Sequence, residues 1–318
     1  MADVTVAVLS YDRIDLLERT LLGVLNQRVP SGFTYDIVVA DNHPDRLAEP
    51  VVARLSAAAE RSIRYVANPV RNISIIRNVA IDAARGVSPM IAFVDDDECP
   101  EPGWVAALHA CLQRTGADAA FGPKYPDFEA GHPPSWDPEG WYFTCDFRMP
   151  ADSPIVMFGQ RRRRGKGLGS GNSIFRMATS FADAQPFNES FGNAGGEDTE
   201  LLFRLAREGK RFVWCPDAKV HEFMQATRAN YPYMRARLKR GSQHYASSRL
   251  ANSSNKTLAR AKIAAIGAAQ ILVHGALFIL RGDFLNTDKV ANRLGIAKGL
   301  GKLTYHAPIG FIEEKRPS

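Results

Sequence analysis

Three consecutive carboxylates, Asp95, Asp96 and Asp97, follow the apolar run Met90-Ile91-Ala92-Phe93-Val94 with no spacer. Adjacent acids repel and raise one another's pKa unless a cation or a donor network neutralises them, so the cluster reads either as a group that holds something or as a solvated acidic turn, and its surroundings decide. In an open α/β sheet, the carboxyl ends of the strands are the edge where ligands bind. A second acidic site, Gly195-Gly196-Glu197-Asp198, precedes Leu201, Leu202 and Leu205, and Gly209 closes the segment, which predicts a helix with acids in its first turn. Acids there complement the helix dipole, worth about 0.3–1 kcal/mol, and that alone would account for them. The two glycines add a tight backbone approach, and the helix start keeps Asp198 ionised, as a general base requires. His221, within Val220-His221-Glu222-Phe223, is a candidate metal ligand whose alternative is a structural histidine.

The elements that must position these groups are legible in the first hundred residues. Val4 to Leu9 is a β-branched apolar run suited to a strand buried on both faces, and Ser10-Tyr11-Asp12 ends it. Ile14, Leu17, Leu21, Val24 and Leu25 recur at helical spacing and make one apolar face. A second strand over Tyr35–Ala40 ends at Asp41-Asn42. Helices over 47–59 and 74–84, and a strand over Ile63–Val66, complete four β-α units. That alternation predicts a parallel, doubly wound sheet, with Ser10, Tyr11 and Asp41 on the same edge as the aspartates. There a carboxylate can accept from a base N–H and a tyrosine ring can stack on a base; for Asp41 the alternative is an Asx turn before Pro44. Neither G-x-G-x-x-G after the first strand nor G-x-x-x-x-G-K-[ST] anywhere is present, which weakens dinucleotide and P-loop readings.

Between Gly122 and Pro154 the chain is rich in proline and glycine and carries Trp136 and Trp141, aromatics that either stack on sugar rings or bury as anchors. The basic run Arg161 to Arg164 with Lys166, beside Gly165, Gly167, Gly169 and Gly171, reads as a loop able to close on phosphate oxygens or as a solvated loop. With 318 residues, 45% of them hydrophobic, the chain supports a large core. Four cysteines without CxxC spacing, and no signal peptide before Val4, fit a reducing cytosol, so the sequons at Asn72 and Asn255 are read as chance. Net charge is +6, yet the stretch from Phe223 to Gly282 has ten Lys and Arg and no acid, leaving the remainder mildly acidic. A basic tail of this kind predicts a polyanionic surface as partner. Within it, Ile263 to Leu280 is eighteen residues without a charge, at the lower limit for a membrane span. Basic residues crowded before it favour an interfacial helix over a span, and a core helix is the alternative.

Taken together, Val8-Leu9-Ser10-Tyr11-Asp12-Arg13, Val38-Val39-Ala40-Asp41-Asn42, Ile76-Arg77-Asn78, Phe93-Val94-Asp95-Asp96-Asp97, Gly169-Ser170-Gly171-Asn172 and Gly195-Gly196-Glu197-Asp198 make the chain resemble the family 2 glycosyltransferases with the GT-A fold, over residues 3 to 225. The resemblance implies an α/β GT-A domain over 1–225, with a Rossmann-like nucleotide-sugar half (1–122) and an acceptor half (123–225), followed by a basic helical region over 226–318. It implies an inverting transfer of a sugar from a nucleotide-diphosphate donor, UDP above all, to a saccharide acceptor, lipid-linked as in bacterial exopolysaccharide and capsule relatives. By the same resemblance Ser10, Tyr11 and Asp41 bind the nucleoside and Arg77 lies near the nucleotide, while Asp95 and Asp96 contact ribose and metal shell. Asp97, with His221, ligates Mg²⁺ or Mn²⁺ on the diphosphate, Asp198 is the catalytic base, and Trp136, Trp141, Gly171, Asn172 and Glu197 belong to the acceptor side. Asp12 stands where the family more often has Asn, and Ala40 where it has a second acid, which bears on nucleotide contacts rather than on the reaction. The expected location is cytoplasmic, at the inner face of the cell membrane, with an anionic membrane surface as partner and no nucleic acid. Competing readings are a sugar-nucleotide nucleotidyltransferase, a non-catalytic nucleotide-sugar binder and a nucleic-acid binder using the basic tail; the last explains neither acidic site.

Overall fold

The computed structural model describes residues 1–59, 62–157, 167–193, 195–280 and 286–307. Strand β1 (Val4–Ser10) is buried along its whole length, as its unbroken apolar run requires, because it has a strand on each side and helices on both faces. The chain continues through α1 (Ile14–Leu25), β2 (Tyr35–Asp41), α2 (Glu49–Ala58), β3 (Ile63–Ala67), α3 (Ile73–Ala84) and β4 (Met90–Asp95). Helix α1 buries Leu17, Leu21 and Val24, three members of the apolar face read from the sequence. Asn72 caps α3 by accepting from the backbone N–H groups of Ser74 and Ile75, a contribution of about 1 kcal/mol.

After β4 come β5 (Glu98–Pro100), α4 (Trp104–Thr115), β6 (Ala119–Phe121), β7 (Lys124–Phe128), β8 (Pro154–Ile155), β9 (Ser173–Arg176), α5 (Met177–Ser180), α6 (Glu197–Arg207), β10 (Phe212–Trp214) and β11 (Val220–Met224). The main sheet has the order β3-β2-β1-β4-β9-β6-β10-β8. Strands β3, β2, β1 and β4 are parallel, whereas β9 runs antiparallel between β4 and β6, so the sheet is mixed. A three-stranded sheet, β5-β11-β7, stands beside it. Alternation along the strands sorts the core into two layers: Val4, Val6 and Val8 pack with α1, α2 and α4, and Ala7 and Leu9 pack with α3, α6 and a group of phenylalanines.

This topology positions the site. The chain moves outward from β1 through β2 to β3 and then returns to the other side of β1 with β4, which makes the β1/β4 boundary the switch point. Register places Ser10 opposite Asp41, and Leu9 opposite Asp95, so the ends of three strands meet on one edge. At the carboxyl end of the chain α7 (Tyr231–Ala251), α8 (Lys256–Leu280) and α9 (Asn286–Leu303) pack on one another. They join the rest of the chain through an apolar cluster of Phe143, Met224, Met234 and Leu294.

Close approach, not backbone conformation, fixes Gly122: a Cβ there would lie 2.0 Å from the Ala218 carbonyl oxygen. Gly122→Ala should therefore destabilise by about 1–3 kcal/mol, read as a lower urea midpoint at unchanged slope. Gly241→Ala, on the exposed side of α7 with no atom within 4 Å of the new Cβ, should be neutral or stabilise by up to about 1 kcal/mol.

Candidate active site

The carboxylates at the end of β4 and just beyond it are held by a small set of shared cations. Asp95 is about a third exposed, with Arg77 Nη2 at 3.7 Å from one oxygen and Lys124 Nζ at 3.8 Å from the other. Asp96 and Asp97 are nearly buried and share Arg13, which donates through one terminal nitrogen to each. Arg228 Nη1 also approaches Asp97 Oδ2, at 3.5 Å. Glu98, fully inside, receives Lys124. Burial pushes the Asp96 carboxyl up to about 7 and the Glu98 carboxyl up to about 8, against the pull of Arg13 and Lys124 respectively. Asp97 is pushed up as well, by burial first and then by the nearby Glu222 and Asp95 charges that Arg13 opposes. Burial works against the charge on Arg13 and Lys124 in turn, and the surrounding acids more than reverse it. The edge carries concentrated, half-desolvated negative charge that a further cation would relieve.

Carboxylate oxygens are the hard donors that Mg²⁺ and Mn²⁺ take, so the residue types fit such an ion. Among the described residues no three His, Cys, Asp or Glu groups converge to hold a metal by themselves. An ion at Asp97 would complete its shell with ligand oxygens.

The second acidic site lies across a short glycine segment. Gly195 and Gly196 have φ of +83° and +95°, conformations open to glycine, and Gly196 caps α6. In the first turn Glu197 turns inward and pairs with Arg77, and burial pushes its carboxyl up to about 7 while Arg77 pulls it down. Asp198 stays partly open; its Oδ1 accepts from the Thr199 N–H at 2.6 Å. Its Oδ2 would stand 3.0 Å from a Cβ on Gly169, and a Cβ on Gly171 would lie 2.5 Å from Asp95 Oδ2. The segment Gly169-Ser170-Gly171 thus touches Asp198 with one glycine and Asp95 with the other. Arg77 ties the same two sites together from beneath, reaching Asp95 and Glu197. The Oγ atoms of Ser170 and Ser10 are buried without a hydrogen-bond partner among the described residues, open donors at this edge.

Toward β2 and β3 the edge becomes aromatic. The Tyr11 ring stands 5.0 Å from the His43 ring, and the Arg71 guanidinium lies over Tyr11 at 5.1 Å. Beside them is a cleft of about 330 Å³ lined by His43, Pro44, Arg46, Ala67 and Pro69, a shape and polarity that suit a flat ring.

Several sequence-predicted site residues have other work. Asp41 is fully buried and its carboxylate is occupied: it accepts from His43 N–H at 2.8 Å, Ala48 N–H at 3.0 Å and Tyr65 O–H at 2.9 Å. That is the Asx turn that competed with the base contact, and it lies beneath the cleft rather than in it. Asn172 is likewise spent internally, donating to the Pro123 and Ala218 carbonyls and accepting from Trp104 Nε1. Glu197 answers Arg77 instead of facing an acceptor. Trp136 packs among Tyr142, Phe143 and Tyr231, the burial alternative. Trp141 carries the Arg148 guanidinium over its ring at 5.4 Å. His221 hydrogen-bonds Glu101 at 2.9 Å; the next residue along the strand, Glu222, is the one whose charge reaches Asp97, because successive strand side chains face opposite ways. The basic run Arg161 to Arg164 with Lys166 lies outside the described residues. Arg13, His43, Arg71, Glu98 and Lys124 were not assigned roles from sequence. Arg13 alone offered a signal, as the basic residue directly after Ser10-Tyr11-Asp12.

Comparison with known proteins bears on the same residues. The family model described as glycosyl transferase family 2 matches residues 5–168. The chain is 30% identical over 240 residues to the succinoglycan biosynthesis protein ExoM of Rhizobium meliloti, covering 76% of this chain and 73% of that one. It is 25% identical over 242 residues to the chondroitin synthase of Escherichia coli, covering 65% of this chain and 33% of that longer protein. Among solved structures, S. aureus TarS in complex with UDP-GlcNAc superposes with a TM-score of 0.56 at 15% identity, over 93% of this chain and 90% of that one, a likeness of fold.

The internal role of Asp41 can be separated from ligand contact. Asp41→Asn puts an amide N–H against groups that themselves donate, so it should cost about 1–3 kcal/mol of stability in urea unfolding. Unchanged stability with weakened nucleotide affinity would instead return Asp41 to the binding surface.

Proposed function

The chain belongs to glycosyl transferase family 2 and is a glycosyltransferase of the GT-A fold, and from that premise we propose that it transfers a sugar from a UDP-linked donor, with inversion, to a saccharide carried on a lipid. The setting is bacterial polysaccharide biosynthesis, the role that the printed names of ExoM and chondroitin synthase give to those relatives. The observation that carries this reading is the contact of one glycine segment with both Asp95 and Asp198, which leaves a donor acid and a candidate base on either side of a narrow floor. The UDP assignment draws on the TarS complexes, which hold UDP and UDP-GlcNAc in a similar fold.

In this reading the uracil ring occupies the cleft beside Tyr11 and His43, and Ser10 Oγ and Asp95 meet the ribose and diphosphate. Asp97, with Asp95 and Asp96 around it, would hold Mg²⁺ or Mn²⁺; when bound, the ion neutralises charge on the departing diphosphate. Asp198 takes the proton from the acceptor hydroxyl, that oxygen bonds to the anomeric carbon from the face opposite the phosphate, and the bond to the diphosphate oxygen breaks. The nucleoside diphosphate leaves with its electron pair. Asp198 stands in the first turn of α6, partly open to the space an acceptor hydroxyl would enter.

A lipid-linked acceptor accords with α8. Among the described residues it is the one helix long and apolar enough to cross a membrane by length and composition, and only 11% of its apolar window is covered. Leu272, Val273, Ile279 and Leu280 are exposed, and Lys256, Arg260 and Lys262 stand exposed at its start. The helix lies at the anionic inner face of the cell membrane with its apolar side in the lipid, which makes the protein cytoplasmic and peripheral.

Asp198→Asn should lower transfer by roughly 10²–10⁴-fold while UDP affinity stays near wild type, and Asp97→Asn should weaken UDP binding only in the presence of Mg²⁺ or Mn²⁺. Near-wild-type transfer by Asp198→Asn would remove the base assignment. Sedimentation with vesicles should show binding to phosphatidylglycerol-containing membranes that falls with salt and is lost in a Leu272→Asp, Ile279→Asp variant; equal recovery in the supernatant with and without vesicles would count against the membrane reading.

A further inference from the structure

The polar side chains that line the cleft beyond Tyr11 are those of His43 and Arg46, and both can donate a hydrogen bond. Asp41, which a base N–H would otherwise reach, lies beneath the cleft with both oxygens accepting from the protein. Arg46 is committed as well: it donates to Glu49 Oε1 at 2.8 Å, and its guanidinium lies 5.4 Å from the centre of the Tyr65 ring. His43 is the side chain left to read a ligand.

Its own turn fixes which ring nitrogen carries the proton. The backbone N–H of Asp45 donates to His43 Nδ1 at 3.1 Å, so that nitrogen acts as the acceptor and the ring hydrogen sits on Nε2. The Asp45 carboxylate, 3.8 Å from Nδ1 and largely exposed, is too distant to replace that contact. Nε2 has no hydrogen-bond partner among the described residues. Only 16% of the side chain is exposed, and the Tyr11 ring backs it at 5.0 Å. A donor held in this way at the wall of a cleft calls for an acceptor on the ligand.

Sheet order says which part of the ligand meets that wall. Ribose and diphosphate belong at the ends of β1 and β4, by Ser10 and Asp95, whereas the cleft is walled by the turn after β2 and by the end of β3. A pyrimidine joined to ribose through N1 and directed outward along that order turns C4, the ring atom opposite N1, to the far wall. In uracil C4 carries an oxygen. In cytosine it carries an amino group, which would set donor against donor.

We propose that His43 is the residue that selects the base, donating from Nε2 to a ring keto oxygen, the 4-oxygen of uracil, and disfavouring cytosine. The inference rests on the reading that a UDP-linked donor occupies this cleft, and it names the side chain and the oxygen that make the choice.

The test is calorimetric titration of the full chain with UDP, CDP and GDP in the presence of Mg²⁺. Wild type should bind UDP about tenfold more tightly than CDP, the scale of one neutral hydrogen bond. His43→Phe keeps a ring against Tyr11 without the N–H and should bring UDP and CDP to near-equal affinity, as should His43→Ala. His43→Gln, which returns an amide N–H at similar reach, should restore most of the preference. A merely structural role would weaken both nucleotides together and leave their ratio unchanged. A wild-type preference for UDP that survives in His43→Phe and His43→Ala overturns the assignment of His43 and leaves the UDP reading standing. A preference for GDP over UDP that is lost in those two variants retains His43 as the reader of a keto oxygen and removes the UDP reading. Equal affinity of wild type for UDP and CDP, or binding of none of the three, overturns the inference.

Discussion

Concentrated carboxylates at the carboxyl end of β4 are the constraint around which the rest is arranged. Two opposite charges about 4 Å apart attract by roughly 4 kcal/mol at an effective dielectric near 20, but desolvating each costs several kcal/mol. Asp96, Asp97 and Glu98 are nearly buried, so their pairs with Arg13 and Lys124 come close to break-even as stability. Leaving one partner uncompensated would cost about 3–5 kcal/mol, which obliges the fold to keep every cation in place. Those cations come from the loop after β1, from α3, from β7 and from the segment before α7. The acid cluster is thus the point at which distant parts of the chain are made to agree, although its paired charges return little stability.

A second constraint follows from the first, because the two acidic sites must stand close without touching. Arg77 holds them from below by reaching Asp95 and Glu197, and the segment from Gly169 to Gly171 separates them above with no side chain at either contact. A Cβ at Gly171 would collide with both Asp95 and Lys124, at 2.5 Å and 2.6 Å. Glycine here is a spacing device: it sets the gap between the carboxylates at backbone thickness. Asn172 then locks the segment by bonding to Pro123, Ala218 and Trp104, which explains why a residue next to the site has no free polar atom to offer a ligand.

Periodicity carried the sequence reading through the first four β-α units, because β1, β2 and β4 are apolar runs long enough to be distinguished from helices. It could not place β9, four residues long, whose antiparallel insertion between β4 and β6 depends on partners more than fifty residues away. In the site, residue type and order located both acid groups, but sequence does not say which oxygens are already occupied. Asp41, Asn172 and Glu197 show this: each is polar, near the edge and already bonded within the protein. Lys124 offers no signal for the complementary reason, since a basic residue gains meaning here only from the acid that the fold brings to it.

The basic carboxyl-terminal stretch is divided by the fold in a way that composition alone does not show. Read as one feature, its charge implies one polyanionic partner. Folded, it divides: Arg228 reaches Asp97 and Arg237 feels the charge of Glu222, whereas Lys256, Arg260 and Lys262 stand exposed at the start of α8. Helix α8 is largely apolar beyond Lys262, yet it buries only Ala259, Ile263 and Gly267 fully, Gly267 against Gly299 and Leu303 of α9. A helix apolar all round would ordinarily be covered all round. Its uncovered face and the exposed lysines and arginine at its start therefore belong to one surface of α8, apart from Arg228, which answers Asp97.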